Sequence, residues 1–588
     1  MKKITTCFAV LFLSITGLIS CSDSALTPNP LSFYSADDVY TDGDGFESVL
    51  ITLRKALNRE THGNQHFLML EFASSDLAVP GDQPDFHVLT PSGSRYKYLS
   101  MFEDVYGYIK DANLVISRID DLETDDEPYR NRILAEAYWH RAYWYYRLVH
   151  SYGDVPWIGE ELQKPKLDFQ THSRWTIIDK IQKDLEFATE WLPESATPDV
   201  PSRYAALQLL TKVYLANTEF ENAVQTASEI ISGPFQLMSQ RFGSYADDPQ
   251  RNVIWDLHRP ENKNLNANTE TIYTVIDRPE APSNARTVGT YSQRTYAPHW
   301  WTIPDESGSR GVDWTIPMGD TLGQGNADVN ANHFYTRAIW NEGDYTHEDT
   351  PDLRRAPINW VNMTELTYSV PSSPNLGEPI TQDYFANLND TTFMWFDWPH
   401  YKTFVPANDG CCDGRPRGGN GDWYIYRLAE TYLLRAEAYY WLGENGMAAQ
   451  DINEVRDRAN AEPISAADVD IDYIFHERAR ELYAEEPRHS EMVRVANIMA
   501  QLNRNGYSLE NISSNNWYYD RVMRFNNWYH GPQPYTRRGG AEASISPYHI
   551  YWPIPQSTIT ANTMGQINQN EGYDGAENNV PPLETIEE

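Results

Sequence analysis

Cysteine is scarce in these 588 residues, cations are outnumbered, and only one apolar run comes near membrane-crossing length. The four cysteines are Cys7 within that N-terminal run, Cys21 at its end, and the adjacent Cys411 and Cys412. So few exclude a fold stapled by a disulfide framework. Cys411 and Cys412 could close a vicinal disulfide in an oxidising compartment or remain thiols. Lys and Arg total 47 against 83 Asp and Glu, a net charge of −36. A field of that sign repels nucleic acid and anionic lipid surfaces, which excludes a nucleic-acid partner.

Catalytic signatures are missing as well. His476-Glu477 is followed by Arg478-Ala479-Arg480, without the second histidine of a zinc-binding helix. Gly308-Ser309-Arg310-Gly311 lacks nucleophile-elbow spacing, and neither a phosphate-binding loop nor a dinucleotide glycine pattern occurs. Asp42-Gly43-Asp44-Gly45 imitates part of a calcium loop, but Ile51 stands where the twelfth-position Glu is needed. The reading is therefore no cofactor and no catalytic residue. A structural calcium in the loops DTLGQGNADVNANH and NDGCCDGRPRGGNGD stays open, with no ligand set assigned.

What is present begins with Lys2, Lys3 and an apolar core from Phe8 to Ile19, shorter than the roughly 20 residues of a membrane span. This reads as a secretory signal. Leu18-Ile19-Ser20-Cys21 resembles a bacterial lipobox, which implies cleavage before Cys21 and its lipidation. Residues 1–20 are then signal peptide and 21–41 a lipidated tether. Loss of Lys2 and Lys3 takes the charge from −36 to −38.

Helical periodicity dominates the next stretch. Phe46, Val49, Leu50, Leu53 and Leu57 form one stripe, and Met101, Val105, Ile109, Ala112 and Ile116 lie on another. AEAYWHRAYWYYRLVHSYGDVPWI predicts a helix packed on several sides and stopped by Gly153 and Pro156. Residues 209–231 and 433–459 share a layout: a Leu-Leu helix, a short polar turn, then a second helix opening on Ala223 or on Ala448-Ala449. That is the grammar of a tetratricopeptide-like helix pair, in which small residues let helices approach closely. The expected fold is mainly α, with helical parts at 42–232 and 422–505. Between them, 233–421 is an irregular, Trp-rich insert in which ETIYTVI and FMWFDW could supply short strands, and 506–588 is irregular again.

The insert holds Trp300, Trp301, Trp314, Trp340, Trp360, Trp395 and Trp398, with Arg310, Asn326, Asn330 and Asn332 nearby. Aromatic faces edged by Arg and Asn suit a glycan, which offers flat C–H faces rimmed by hydroxyls. Core filling is the competing use of any single Trp. Glu477, Glu481 and Glu485 of ERARELYAEEPRH fall four apart, interleaved with Arg478 and Arg488. Such charges pair along a helix, and a paired carboxylate keeps a low pKa unsuited to acid catalysis.

Several stretches together resemble the SusD/RagB family of outer-membrane lipoproteins. HIYWPIPQSTITANTMGQINQNEGY is similar to that family's closing motif through Pro553-Ile554-Pro555, Ser557, Ile559, Asn562, Gln569-Asn570 and Gly572-Tyr573. ERARELYAEEPRHSEMVR, RLAETYLLRAEAYY, the Tyr106–Asn113 segment and the helix ending Tyr-Gly-Asp-Val-Pro also match, in the expected order. The resemblance implies about four tetratricopeptide-like units and a cell-surface, lipid-anchored glycan binder that lids a SusC-like TonB-dependent transporter. It also implies sugar-stacking aromatics in the mid-chain, here expected among Trp300, Trp301, Trp314 and Trp340 beside Arg310. Arg95 and Tyr96 are expected on a second rim from the loop 74–98. Net charge favours a neutral glycan. A helical polysaccharide-degrading enzyme and a periplasmic repeat scaffold remain as alternatives.

Overall fold

The computed structural model describes residues 40, 42–81, 86, 88–197, 199–313, 321–381, 394–406, 415–529 and 544–587. The lipidation candidate Cys21 and the pair Cys411-Cys412 lie outside these residues. The fold is mainly helical, and its strands are confined to three two-stranded pairings among the described residues: β1 (Ala78–Pro80) with β5 (Val329–Ala331), β2 (Val155–Pro156) with β3 (Thr171–His172), and β4 (Thr271–Val275) with β6 (Trp423–Arg427). No described helix is long and apolar enough to cross a membrane.

Asp42 starts helix α1 (Gly43–Ala56) by accepting the Gly45 N–H, and the Phe46, Leu50 and Leu53 stripe is buried. After α2 (Phe67–Ala73), α3 (Tyr98–Arg118) buries Met101, Val105, Ile109 and Ala112. Helix α4 (Glu127–Tyr152) begins on the Asp126 cap and stops at Gly153, whose φ of 69° a side chain would resist. From Ile133 to Tyr152 every residue except Tyr138 is buried. This explains the diffuse aromatic pattern: α4 packs against α3, α5 (Arg174–Trp191) and α11 (Arg488–Gln501).

The two repeat-like stretches become α6 (Arg203–Ala216) with α7 (Phe220–Ile231), and α8 (Leu428–Leu442) with α9 (Asn445–Arg458). Ala223 and Ala448 are fully buried where the paired helices meet. Helix α7 packs directly on α8, so the helical stack runs on although the insert separates them in sequence. Strand β4 (Thr271–Val275), within ETIYTVI, pairs antiparallel with β6 (Trp423–Arg427), which runs into α8 and pins the base of the insert. FMWFDW departs from expectation: its described part, 394–398, forms no strand, and Trp398 makes only an isolated bridge to Val361.

The C-terminal motif is a strap. Trp552 N–H donates to Ser151 O at 2.8 Å, and the Asn570 amide donates to Tyr152 O and Trp552 O. Gln569 closes a reciprocal pair with the Ile554 backbone, and Asn562 does the same with Phe169. Asn570 and Asn562 thus satisfy main-chain groups at the end of α4 and in the segment after it, and Gln569 satisfies those of the strap itself.

The charges of ERARELYAEEPRH are structural, with different partners from those the spacing indicated. Glu477 accepts from Arg354 at 2.7 Å, Arg456 at 2.8 Å and Arg480 at 2.7 Å. Glu481 takes Arg354, Arg427 and Arg458; Glu485 takes Arg427 and Lys402. Arg478 instead pairs with Glu486 and Glu491, and Arg488 with Asp76. Helix α10 (Ile471–Leu482) also ends before Glu485. Burial alone would raise these three carboxyls, but the surrounding cations outweigh it and hold them below the usual range.

Candidate functional site

A seam between the early loop and the insert organises the site. Strand β1 (Ala78–Pro80) pairs antiparallel with β5 (Val329–Ala331), in register Ala78 with Ala331 and Pro80 with Val329. The ladder extends through Gly81 N–H to Asp328 O at 3.2 Å. A Cβ on Gly81 would sit 1.7 Å from Ala327 O, so the close approach requires glycine. Two further main-chain bonds, Asn326 N–H to Arg294 O and Ala327 N–H to Ala297 O, tie 294–302 to the same edge.

Trp301 sits on this edge in a short 3-10 turn, Trp300–Thr302. Its indole N–H donates to Gly325 O at 2.7 Å, which orients the ring, and the side chain stays partly exposed. The His299 ring stands edge-on at 4.4 Å, and the exposed Arg310 guanidinium lies 5.4 Å from the indole centre. Arg310 is delivered by a turn in which Asp305 accepts the N–H groups of Ser307 and Ser309. Together with the Ser307 hydroxyl, these bonds hold the Asp305 carboxyl below its ordinary range.

Across the seam, Asp328 accepts from Arg294 at 3.2 Å and from the Asn326 amide at 2.6 Å. Burial pushes its carboxyl up in spite of Arg294, and the charge of Arg95 also acts on it. Exposed Arg95 lies over the ring of Tyr96, which is buried. Of the expected residues, Trp301 and Arg310 thus touch, and the β1–β5 seam brings the Arg95 loop to the same edge of the insert.

Two others do not contribute a face. Trp300 and Trp340 are 0% and 1% exposed, with indole N–H groups bonded to Gly323 O and Tyr335 O. Trp340 also meets Trp360 edge-on at 5.9 Å. A ring without an open face cannot stack on a ligand. Both fill a core in a segment with few aliphatic residues, as Trp360, Trp395 and Trp398 do. Trp314 lies outside the described residues.

Arg294 and Asp328 escaped sequence reasoning because no spacing links them; only the strand pairing does. Asn332 caps residues 333–336 and donates to Asp76 O, a structural role. Asn330 is fully buried, and neither of its amide atoms has a partner among the described residues. Among those residues no group of three or more His, Cys, Asp or Glu could hold a metal ion. Loop 321–333 is included in that statement, whereas 407–414 lies outside it. An oriented indole, two exposed guanidiniums and an Asn–Asp rim offer a stacking face and hydrogen-bonding groups, a chemistry suited to recognition.

Comparisons with known proteins bear on the family and on the helical fold. A model described as the SusD family matches residues 252–573, and one described as "Starch-binding associating with outer membrane" matches 61–215. SusD-like protein P25 of Formosa agariphila is 24% identical over 490 residues, 80% of this chain and 79% of that protein. SusD-like protein P2 of the same organism is 27% identical over 241 residues, and the match spans 40% of this chain and under half, 46%, of that protein. Among solved structures, surface glycan-binding protein A from Bacteroides thetaiotaomicron in complex with laminarihexaose superposes with a TM-score of 0.62 at 16% identity, over 90% of this chain and all of the other. At that identity the likeness speaks for the fold.

Proposed function

The chain belongs to the SusD family, and from that premise we propose that it captures a glycan at the outer cell surface and hands it to a SusC-type TonB-dependent transporter, without catalysis. The observation that carries the binding role is Trp301: an indole oriented by Gly325 and flanked by Arg310, on the seam that brings in Arg95 and Asp328. Two related proteins point the same way, one named for laminarin binding and one solved with laminarihexaose. The surplus of acidic residues, −36 overall, favours a neutral glycan.

Anchoring through Cys21 belongs to the same reading. It leaves the mature chain tethered by 21–41, long enough to let a folded body move over a transporter mouth. Affinity electrophoresis and calorimetry against neutral and anionic polysaccharides test the binding role, and neutral glycans are expected to bind. A reducing-end assay on the same mixtures is expected to stay at background; steady product release would replace the reading with an enzymatic one. Replacing Cys21 should release a folded, binding-competent protein from the membrane fraction.

A further inference from the structure

A second concave surface lies away from Trp301, where the insert meets the C-terminal helices. The segment from Phe334 to Tyr345 faces α10 and the loop before it across a cleft of about 860 Å³. That volume falls within the roughly 300–1,000 Å³ typical of small-molecule sites. Four aromatic rings line it: Phe334, Tyr345, Tyr473 and His476. Tyr345 is 38% exposed, and Phe334 and Tyr473 are half-buried, the Tyr473 ring lying beside the Arg456 and Arg480 guanidiniums at 6.0 and 5.6 Å. Phe334 is steadied from behind by Phe525 at 4.5 Å and by His476 at 5.0 Å.

The polar groups of the cleft fall into two sets. Arg456 and Arg480 are buried, and their donors are occupied by the protein. Arg456 binds Glu342, Glu477 and the Glu462 carbonyl; Arg480 binds Glu342, Glu477 and the Ile339 carbonyl. Tyr473 donates its hydroxyl to Glu342 at 3.0 Å, which fixes that ring. What the cleft presents outward is acidic, namely Asp344, Glu462 and Asp468, all exposed. Burial and the nearby Arg521 and Arg480 push the His476 imidazole well below its ordinary range, so it stays neutral, able to donate or accept.

Fixed aromatic faces rimmed by acceptors and lacking available cations fit a neutral saccharide and reject a uronate or sulfated one. We infer that the cleft between Phe334–Tyr345 and α10 is a second glycan subsite, taking a neutral segment of the polysaccharide held at Trp301. This rests on the proposed glycan-binding role. Its consequence is avidity: two weak contacts on one long chain bind far more tightly than either alone, while a short oligosaccharide fills them independently.

The test uses the mature chain, unmodified and as Trp301→Ala, Tyr345→Ala and Ala338→Trp. The last places a bulky group at an exposed position lining the cleft. Calorimetry with laminarihexaose, maltohexaose and cellohexaose, and affinity electrophoresis in the parent polysaccharides, are the readouts, with circular dichroism as the folding check. The unmodified chain is expected to bind two hexaoses. Tyr345→Ala and Ala338→Trp should each lower this to one and weaken retention by the polysaccharide about tenfold or more. Trp301→Ala should also leave one, now sensitive to Ala338→Trp. If both cleft variants match the unmodified chain while Trp301→Ala abolishes all binding, the second subsite is refuted and the proposed function survives. Absence of neutral-glycan binding by the unmodified chain overturns both, and cleft-dependent binding of an oligouronate overturns the neutral assignment.

Discussion

Two regions of this protein spend their polar and aromatic residues in opposite ways. Around α10, Glu477, Glu481 and Glu485 meet five arginines and Lys402, each carboxylate taking two or three cations, all but Arg480 from outside the helix. Around Trp301, the guanidiniums of Arg310 and Arg95 are exposed, and the indole, oriented through its N–H, stays partly exposed. Charges committed to several buried partners lose the freedom to meet a ligand, and their pKa values are locked away from neutrality. Groups that stay exposed at an edge keep it. The proposed site accordingly lies where charged groups remain exposed, and not where they are most numerous.

The sharpest way to break that contrast is to remove Glu477. Glu477→Ala removes the anion that Arg354, Arg456 and Arg480 share and leaves their buried cluster one positive charge in excess, although each keeps a second carboxylate, so a loss of about 3–5 kcal/mol is expected. Urea unfolding measures it, and a midpoint within error of the parent would mean that the network contributes little. Trp300→Ala is expected to cost a similar ~3–5 kcal/mol through a core cavity, despite lying in the loop-rich insert. A cheap Trp300 would mean that its ring is a surface element after all.

Acid should act next, and unevenly. Burial holds His66, His140, His400, His489 and His549 at about 3, against 6.5 when unfolded. Below pH 6.5 the unfolded chain binds protons that the folded one refuses. Stability thus falls by up to about 1.4 kcal/mol per pH unit for each such group as pH drops toward 3. Asp76 and Glu477, whose carboxyls arginines hold below the usual range, add to the loss further down. Thermal melts from pH 7.5 to 5 should show a falling Tm; a flat profile would contradict the buried neutral histidines.

The smallest stability effects belong to the rim. Trp301→Ala should leave the Tm within a few degrees while lowering glycan affinity about tenfold or more, roughly 1.4 kcal/mol. Arg310→Ala should cost binding about 0.5–1 kcal/mol, the scale of an exposed cation–π contact. If Trp301→Ala binds like the parent, the seam is not the glycan site.

Much of the scaffold was legible from periodicity. The stripes of α1 and α3, the stop at Gly153 and the paired helices carrying Ala223 and Ala448 all follow from local spacing. The tryptophans were harder. Loop-rich sequence around Trp300 and Trp340 suggested surface rings, but those loops fold over the helices and need large side chains to fill the space beneath them. Residues that look alike in sequence, Trp300 and its neighbour Trp301, part company because the 3-10 turn points one inward and leaves the other at the edge.

Sequence by itself determined the family, the helical class and the pairing of the α10 charges in kind, because hydrophobic spacing and opposite charge act locally along the chain. Tertiary structure alone decided which cations those carboxylates take, that β1 joins β5, and that Arg294 meets Asp328 across the insert. Those choices depend on contacts between residues far apart in sequence, whose energies appear only once the chain has folded back on itself.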